Sequence, residues 1–145
     1  RVSSLLADTG VFEVHYTEET DKAVCGPFTL RFAPTVHPLP GYAVRVEGEK
    51  TLAYTGDSVP TAALRAWAQN ADVLLCDAPF TEQNVPSPSP HMTAGQAAEM
   101  AQKARVKNLW ISHIVPGSDE TALLAEAKEK FENSEIVEEM NIKNL

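Results

Sequence analysis

Apolar and polar residues alternate through the first part of the chain. Residues 11–19 (VFEVHYTEE) and 28–36 (FTLRFAPTV) place apolar side chains at every second position, which is typical of half-buried strands. In the second of these segments the inward positions are predicted to be Phe28, Leu30 and Phe32. Residues 42–56 contain two apolar runs joined by Gly48-Glu49-Lys50, a pattern that predicts a hairpin.

The spacing of apolar residues becomes helical in the second half of the chain. Residues 60–69, 93–104 and 119–131 are predicted helices, and residues 71–78 and 107–113 are continuous apolar runs typical of strands buried on both faces. The predicted N-caps of the helices are Ser58, Thr93 and Ser118. The predicted inward positions of the first helix are Ala63, Leu64, Trp67 and Ala68. A last short strand and a tail are expected in 135–145.

A strand-rich front followed by alternating strands and helices indicates the α/β class, in which one sheet is covered by helices on at least one face. The chain has 145 residues, which suits one globular domain or one large piece of a domain. No apolar run reaches the roughly 20 residues that a membrane helix needs. Cys25 and Cys76 suggest neither a metal-binding pair nor a disulfide framework, so a reducing cytoplasm is the expected location.

The charge balance limits the partners that the surface favours. The formal net charge is −8 and the pI is near 4.9. Binding to a nucleic-acid backbone rests on Lys and Arg neutralising phosphates, so this charge argues against a nucleic-acid partner. A small anionic substrate stays compatible with it, because bound metal ions can supply positive charge locally.

Residues with metal-binding side chains stand at several predicted strand ends. They are His37, Asp57, Asp77, His91 and His113. In α/β sheets, functional residues gather where strands end, because the rigid strands hold the loop residues in place. Imidazole nitrogens and carboxylate oxygens are ligands that a divalent metal requires, so these five residues are candidates for one site.

Each candidate also has an ordinary structural explanation. Asp57 follows Gly56 and could serve turn chemistry alone, His37 could fill a turn beside two prolines, and His113 could bond to backbone. His15 lies on the polar face of its strand and is interpreted as a surface residue. Both tryptophans are interpreted as core, and the charges of the third helix as a solvated face. Spacing alone leaves these alternatives open.

Four stretches carry a family resemblance: "HPLPGYAVRVEG", "LAYTGDS", "LLCDAPF" and "HMTAGQAAEMAQKARVKNLWISHIVP". From about Phe28 onward the chain resembles the C-terminal half of metallo-β-lactamase-fold hydrolases, most closely the ribonuclease Z-like branch. The resemblance implies an αββα sandwich of two pseudo-equivalent halves. It also implies a centre of two divalent metal ions, usually zinc, with manganese and iron left open.

The resemblance also implies roles for the five candidates. His37 matches a histidine ligand of one metal, Asp57 the carboxylate that bridges both ions, and His113 the histidine that completes the second. His91 falls where such enzymes place a histidine that protonates the leaving oxygen or contacts the phosphate. Asp77 falls where an acidic residue orients that histidine. Such a pair of ions makes hydroxide from bound water.

The first metal motif of the family, His-x-His-x-Asp-His, is absent from the 145 residues. The resemblance places it upstream of Arg1, so residues 1–145 are expected to be a single or partial domain with an incomplete centre. The complete protein is then expected to be a metal-dependent hydrolase and this chain alone to be inactive.

Two departures from ribonuclease Z concern the substrate. This chain has Cys76-Asp77-Ala78-Pro79 where ribonuclease Z has His-Glu-Ala-Thr, and His91-Met92-Thr93 where it has His-Ser-Thr. With the acidic charge, these departures favour a phosphodiester or other small anionic ester over transfer RNA.

Two alternatives stay open at this stage. The first is a non-catalytic half-fold that pairs with a copy of itself as a homodimer, because half a sandwich leaves apolar faces uncovered. The second is an ordinary α/β domain whose histidines have no connection with metal.

Overall fold

The computed structural model describes residues 22–138 and 140–143. Within these residues one sheet holds seven strands, whose spatial order follows the order of the chain. The strands are β1 (Lys22–Cys25), β2 (Phe28–Pro34), β3 (Tyr42–Glu47), β4 (Thr51–Tyr54), β5 (Val73–Asp77), β6 (Asn108–Ser112) and β7 (Ser134–Ile136). The helices are α1 (Ala62–Trp67), α2 (Ala94–Ala104) and α3 (Glu120–Lys130). The predicted strand at 11–19, with His15, lies outside the described residues.

The sheet is antiparallel in its first part and parallel in its second. Strands β1 to β4 pair antiparallel, and β4 to β7 pair parallel, with one helix in each parallel connection. Parallel connections are almost always right-handed, so successive connections that advance in one direction place their helices on one face. Accordingly α2 packs against α1, α3 and β6. This mixed sheet with helices confirms the predicted α/β class.

The core lies between the helices and the sheet. Leu74 and Cys76 of β5 and Leu109 and Ile111 of β6 are fully buried there. The buried face of α2 is built mostly of small residues: Ala94, Gly95, Ala97, Ala98, Met100, Ala101 and Ala104. Small side chains let the helix axis approach the sheet closely, so α2 and the loop before it are held near the ends of β5 and β6.

One helix cap is as predicted and two predictions were wrong. Thr93 caps α2 in a reciprocal capping box with Gln96. Thr61, not Ser58, caps α1, and Asp119, not Ser118, caps α3. The hydroxyl of Ser58 instead accepts a hydrogen bond from Val36 N at 3.1 Å, a contact between distant parts of the sequence.

The predicted strands and buried positions differ from the structure in three places. The strand β1 was not predicted, although Gly26-Pro27 between β1 and β2 is a turn signal. Phe28 was predicted to face inward but is 45% exposed, because it stands at the start of β2 beside this turn. Ala63 was predicted to be buried but is exposed, because α1 presents Leu64 to the core.

The face of the sheet opposite the helices is apolar and half-buried. It carries, at paired positions of neighbouring strands, Phe32, Val44, Tyr54, Leu75 and Trp110. The predicted sandwich would place its second layer against this face. The predicted core position of Trp67 is borne out in part, since its half-buried ring packs against the helix-side core.

Candidate metal centre

Four of the five predicted site residues meet at the edge where the parallel strands end. Each of Asp57, Asp77, His91 and His113 offers a ligand atom, and these four atoms lie within 4.8 Å of one another. The Nδ1 atom of His113 lies 3.7 Å from Oδ1 of Asp57, and the ring centroids of His91 and His113 are 5.0 Å apart. The carboxyl ends of β4, β5 and β6 share this edge because the three strands are parallel neighbours.

The fifth residue, His37, lies beside this group. Its ring centroid is 5.4 Å from that of His91, but none of its atoms belongs to the set of four. Its loop is closed by a hydrogen bond from Thr35 N to Gly41 O at 3.0 Å. Leu39 N lies 3.2 Å from Nδ1 of His37, so the loop itself fixes the ring.

The turn that presents Asp57 depends on Gly56. Its φ is +60°, a left-handed conformation that glycine adopts without strain, and a Cβ at this position would lie 3.0 Å from Tyr42 O. The next residue, Ser58, accepts from Val36 N and donates to Val59 O at 2.9 Å. Because Val36 precedes His37, Ser58 ties the loop of His37 to the loop of Asp57, a role that sequence reasoning missed.

Replacing Gly56 with alanine is therefore expected to lower the free energy of unfolding. Gly26 provides a matched control, because its φ is +56° but no atom lies within 4 Å of a Cβ there. We expect G26A to cost about 1 kcal/mol from backbone strain alone and G56A at least about 2 kcal/mol more, from the contact with Tyr42. Urea unfolding of both variants measures the difference. Equal losses of unfolding free energy in the two variants would show that Tyr42 and Thr35 move away from the added Cβ without a cost in stability.

Asp77 is fully buried and holds His91 in place. Its Oδ2 contacts Nδ1 of His91, and its backbone N–H donates to the Thr55 hydroxyl at 3.2 Å. When Asp77 is ionised its carboxylate can only accept, so the contact then requires a proton on Nδ1 of His91. Burial raises the pKa of Asp77 above its ordinary value, and the hydrogen bond with His91 acts in the opposite direction.

The surroundings of the second carboxylate oxygen of Asp77, Oδ1, indicate whether a metal ion fits this site. Its Oδ1 is buried and has no hydrogen-bond partner within the part of the chain that the structure describes. A buried carboxylate oxygen without a partner is costly, and a cation beside it removes that cost. Two carboxylates and two imidazoles form a donor set suited to zinc, manganese or iron. The residues present therefore fit a divalent metal.

His113 leaves β6 in a strained conformation. Its φ is +65°, in the left-handed region that residues other than glycine seldom adopt. Such conformations persist only where the surrounding structure fixes them, and they are frequent at functional sites. Here the turn of the backbone places the ring beside Asp57 instead of continuing the strand.

Tyr54 lies near the site. From the sequence alone, this residue is interpreted only as part of an apolar run. Burial raises the pKa of its phenol, and the carboxylates of Asp57 and Asp77 raise it further. Its place just before Thr55-Gly56 at the end of β4 was the signal available in the sequence. The phenol of Tyr54 therefore stays protonated at neutral pH.

Comparison with known families identifies the chain. The sequence model of the family described as "Beta-lactamase superfamily domain" matches residues 6–114. The chain belongs to this superfamily. The resemblance found in the sequence is confirmed, and among the matched residues are all five site candidates.

The curated relatives of this superfamily chain include proteins with two different descriptive names. "Probable metallo-hydrolase YhfI" of Bacillus subtilis is 31% identical over 112 residues, which cover 77% of this chain and 46% of that protein. "Ribonuclease Z" of Archaeoglobus fulgidus is 44% identical over 102 residues, which cover 65% of this chain and 33% of that protein. The chain thus spans less than half the length of either relative.

A solved structure confirms the fold of this superfamily member. The crystal structure of the metallo-beta-lactamase fold protein YhfI superposes with a TM-score of 0.78 at 28% identity. The match covers 83% of this chain and 51% of that one. Of the helices in the described part, none has the length and apolar content needed to cross a bilayer.

Proposed function

We propose that this chain supplies one half of a dinuclear metal centre in a hydrolase that acts on a phosphodiester or another small anionic ester. The observation that carries the proposal is the meeting of Asp57, Asp77, His91 and His113, whose ligand atoms lie within 4.8 Å of one another. Superfamily membership and the names of the two relatives support it.

Three residues would hold the metal pair, with zinc the expected ion. Asp57 would bridge the two ions, and His113 and His37 would each complete one of them. The 3.7 Å between Asp57 and His113 supports this, since it is too long for a good hydrogen bond between them and leaves both groups available. Bound divalent ions lower the pKa of water and balance the charge of an anionic substrate.

His91 and Asp77 would form the proton-donating pair. Asp77 is buried and engages Nδ1 of His91, which keeps Nε2 as the nitrogen that faces a substrate. The side chain of His91 is 18% exposed, so this ring can be reached from outside. A buried carboxylate stabilises the protonated imidazole and fixes its orientation without taking up the proton itself.

The electrostatics of the chain favour a small substrate. The net charge of −8 opposes association with a polyanion such as RNA. A single phosphodiester or ester group needs only the local charge of the metal pair. We therefore assign to this protein a small anionic ester as substrate, although several relatives are named ribonuclease Z.

The remaining ligands would come from residues upstream of Arg1. The family motif His-x-His-x-Asp-His does not occur in these 145 residues, and the chain spans less than half of its curated relatives. The chain alone is then expected to bind metal weakly and to show little turnover, because too few ligands remain for two ions.

The test compares this chain with a version that includes its native upstream residues. Zinc content and hydrolysis of bis(p-nitrophenyl) phosphate are measured for both. We expect the extended protein to hold zinc after dialysis and to release p-nitrophenol, and the shorter chain to do little of either. Equal activity in the two proteins would contradict the proposed division of the site.

A second candidate function follows from the apolar face of the sheet. The half-buried row from Phe32 to Trp110 would be covered if two copies of this chain paired through it. A non-catalytic, self-associating module would give a dimer mass in solution and a zinc-free protein. A monomer that does not bind an apolar dye would count against this candidate.

A further inference from the structure

The segment 82–95 carries His91 and is anchored at both ends by one side chain of α3. Gly95 N donates to Oε1 of Glu126 at 2.7 Å, and Glu82 N donates to Oε2 of the same carboxylate at 2.8 Å. The two donors are far apart in the sequence but share one acceptor. Hydrogen bonds to a charged acceptor are about twice as strong as neutral ones.

Further contacts hold the two ends of this segment, near Glu82 and Gly95, close together. Ala94 N donates to Phe80 O at 2.8 Å, and Lys130 Nζ lies 2.8 Å from Oε1 of Glu82. A Cβ added at Gly95 would lie 2.8 Å from Glu82 Oε1 and 3.0 Å from Glu126 Oε1, so the ends of these side chains pack directly against the backbone of Gly95. Glu126 thus joins the two ends of the segment, and the fully buried Met92 packs its middle part into the core.

We propose that Glu126 is a positioning residue for His91. This inference rests on the proposed function, in which His91 protonates the leaving oxygen. The contact between His91 and Asp77 needs the segment to stay over the end of β5. Within the segment, the hydroxyl of Ser89 bonds only to the backbone of His91 itself, so it does not fix the loop to the sheet.

Loss of this anchor acts on the proton donor and leaves the proposed metal ligands in place. The carboxylate of Glu126 on α3 accepts from the N–H groups of Glu82 and Gly95 at the two ends of the segment. The proposed ligands Asp57 and His113 instead follow β4 and β6. A misplaced general acid matters most when the leaving group is a strong base, because a weakly basic one departs without protonation. The dependence of rate on the leaving group therefore separates positioning from a general loss of stability.

The test uses the natural full-length protein loaded with zinc and two substrates. Bis(p-nitrophenyl) phosphate has a good leaving group and diphenyl phosphate a poor one. We expect E126A to lower kcat/KM for diphenyl phosphate about tenfold more than for bis(p-nitrophenyl) phosphate. E126Q keeps one acceptor oxygen and is expected to show a smaller change in the same direction. E129Q, an exposed position on the same helix, should leave the ratio unchanged.

A second readout needs neither metal nor turnover. In the metal-free protein, amide hydrogen exchange across residues 82–95 should be faster in E126A than in the natural protein or in E129Q. Unchanged exchange would overturn the inference. An unchanged rate ratio in E126A, while H91A lowers it, would also overturn the inference but leave the proposed function standing. Failure of the natural protein to hydrolyse either substrate would overturn both.

Discussion

Replacing Asp57 with alanine is expected to lower kcat/KM for bis(p-nitrophenyl) phosphate at least about 1,000-fold in the full-length protein. A bridging carboxylate holds both ions, so its loss removes several kcal/mol of stabilisation of the charge in the transition state. Each ~1.4 kcal/mol corresponds to a factor of ten in rate. Zinc content after dialysis should fall with the activity, because Asp57 stands among the four clustered ligand residues.

The control for D57A is E49Q. Glu49 lies in the exposed turn between β3 and β4, so this variant also removes one negative charge but leaves the strand ends untouched. It should keep the zinc content and the activity of the natural protein. A D57A protein that retains both would show that Asp57 serves only the turn after Gly56.

Replacing His91 with alanine is expected to lower kcat about 100- to 10,000-fold, the range over which a general acid contributes. Zinc content should stay close to that of the natural protein, because the proposed role of His91 is to donate a proton. The measurement combines turnover of diphenyl phosphate with metal analysis of the same sample.

The control for H91A is N84A, since Asn84 is exposed on the same segment between β5 and α2. N84A should leave turnover and zinc content unchanged. Loss of zinc in H91A would contradict the assigned role. It would instead make His91 a metal ligand, which its inclusion in the group of four also permits.

The sequence predicted the elements whose signal is local. The continuous apolar runs became β5 and β6, buried between neighbouring strands, and the capping box at Thr93 marked the start of α2. The wrong prediction for the N-cap of α1 has a physical reason. Ser58 and Thr61 both precede α1 closely, and the contact of Ser58 with Val36 decides which hydroxyl is left for the helix. That contact joins residues far apart in the sequence.

The part of the candidate site that lies at strand ends could be predicted from the sequence. Asp57 and His113 follow β4 and β6, and Asp77 is the last residue of β5. Because these strands are parallel neighbours, the meeting of the three residues needed only the order of the strands. The support around them was not predictable, because it comes from across the fold. The sequence assigns Glu126 to a solvated helix face, yet its carboxylate accepts hydrogen bonds from the amides of Glu82 and Gly95. No local pattern distinguishes such a glutamate from its exposed neighbours.

The most direct test of the metal centre is anomalous X-ray scattering at the zinc edge, from crystals of the full-length protein grown with zinc. The account predicts two zinc peaks at the carboxyl ends of β4 to β6. They should lie about 2.0–2.2 Å from ligand atoms of Asp57 and of His37 and His113. Peaks elsewhere on the molecule, with none at this edge of the sheet, would contradict it.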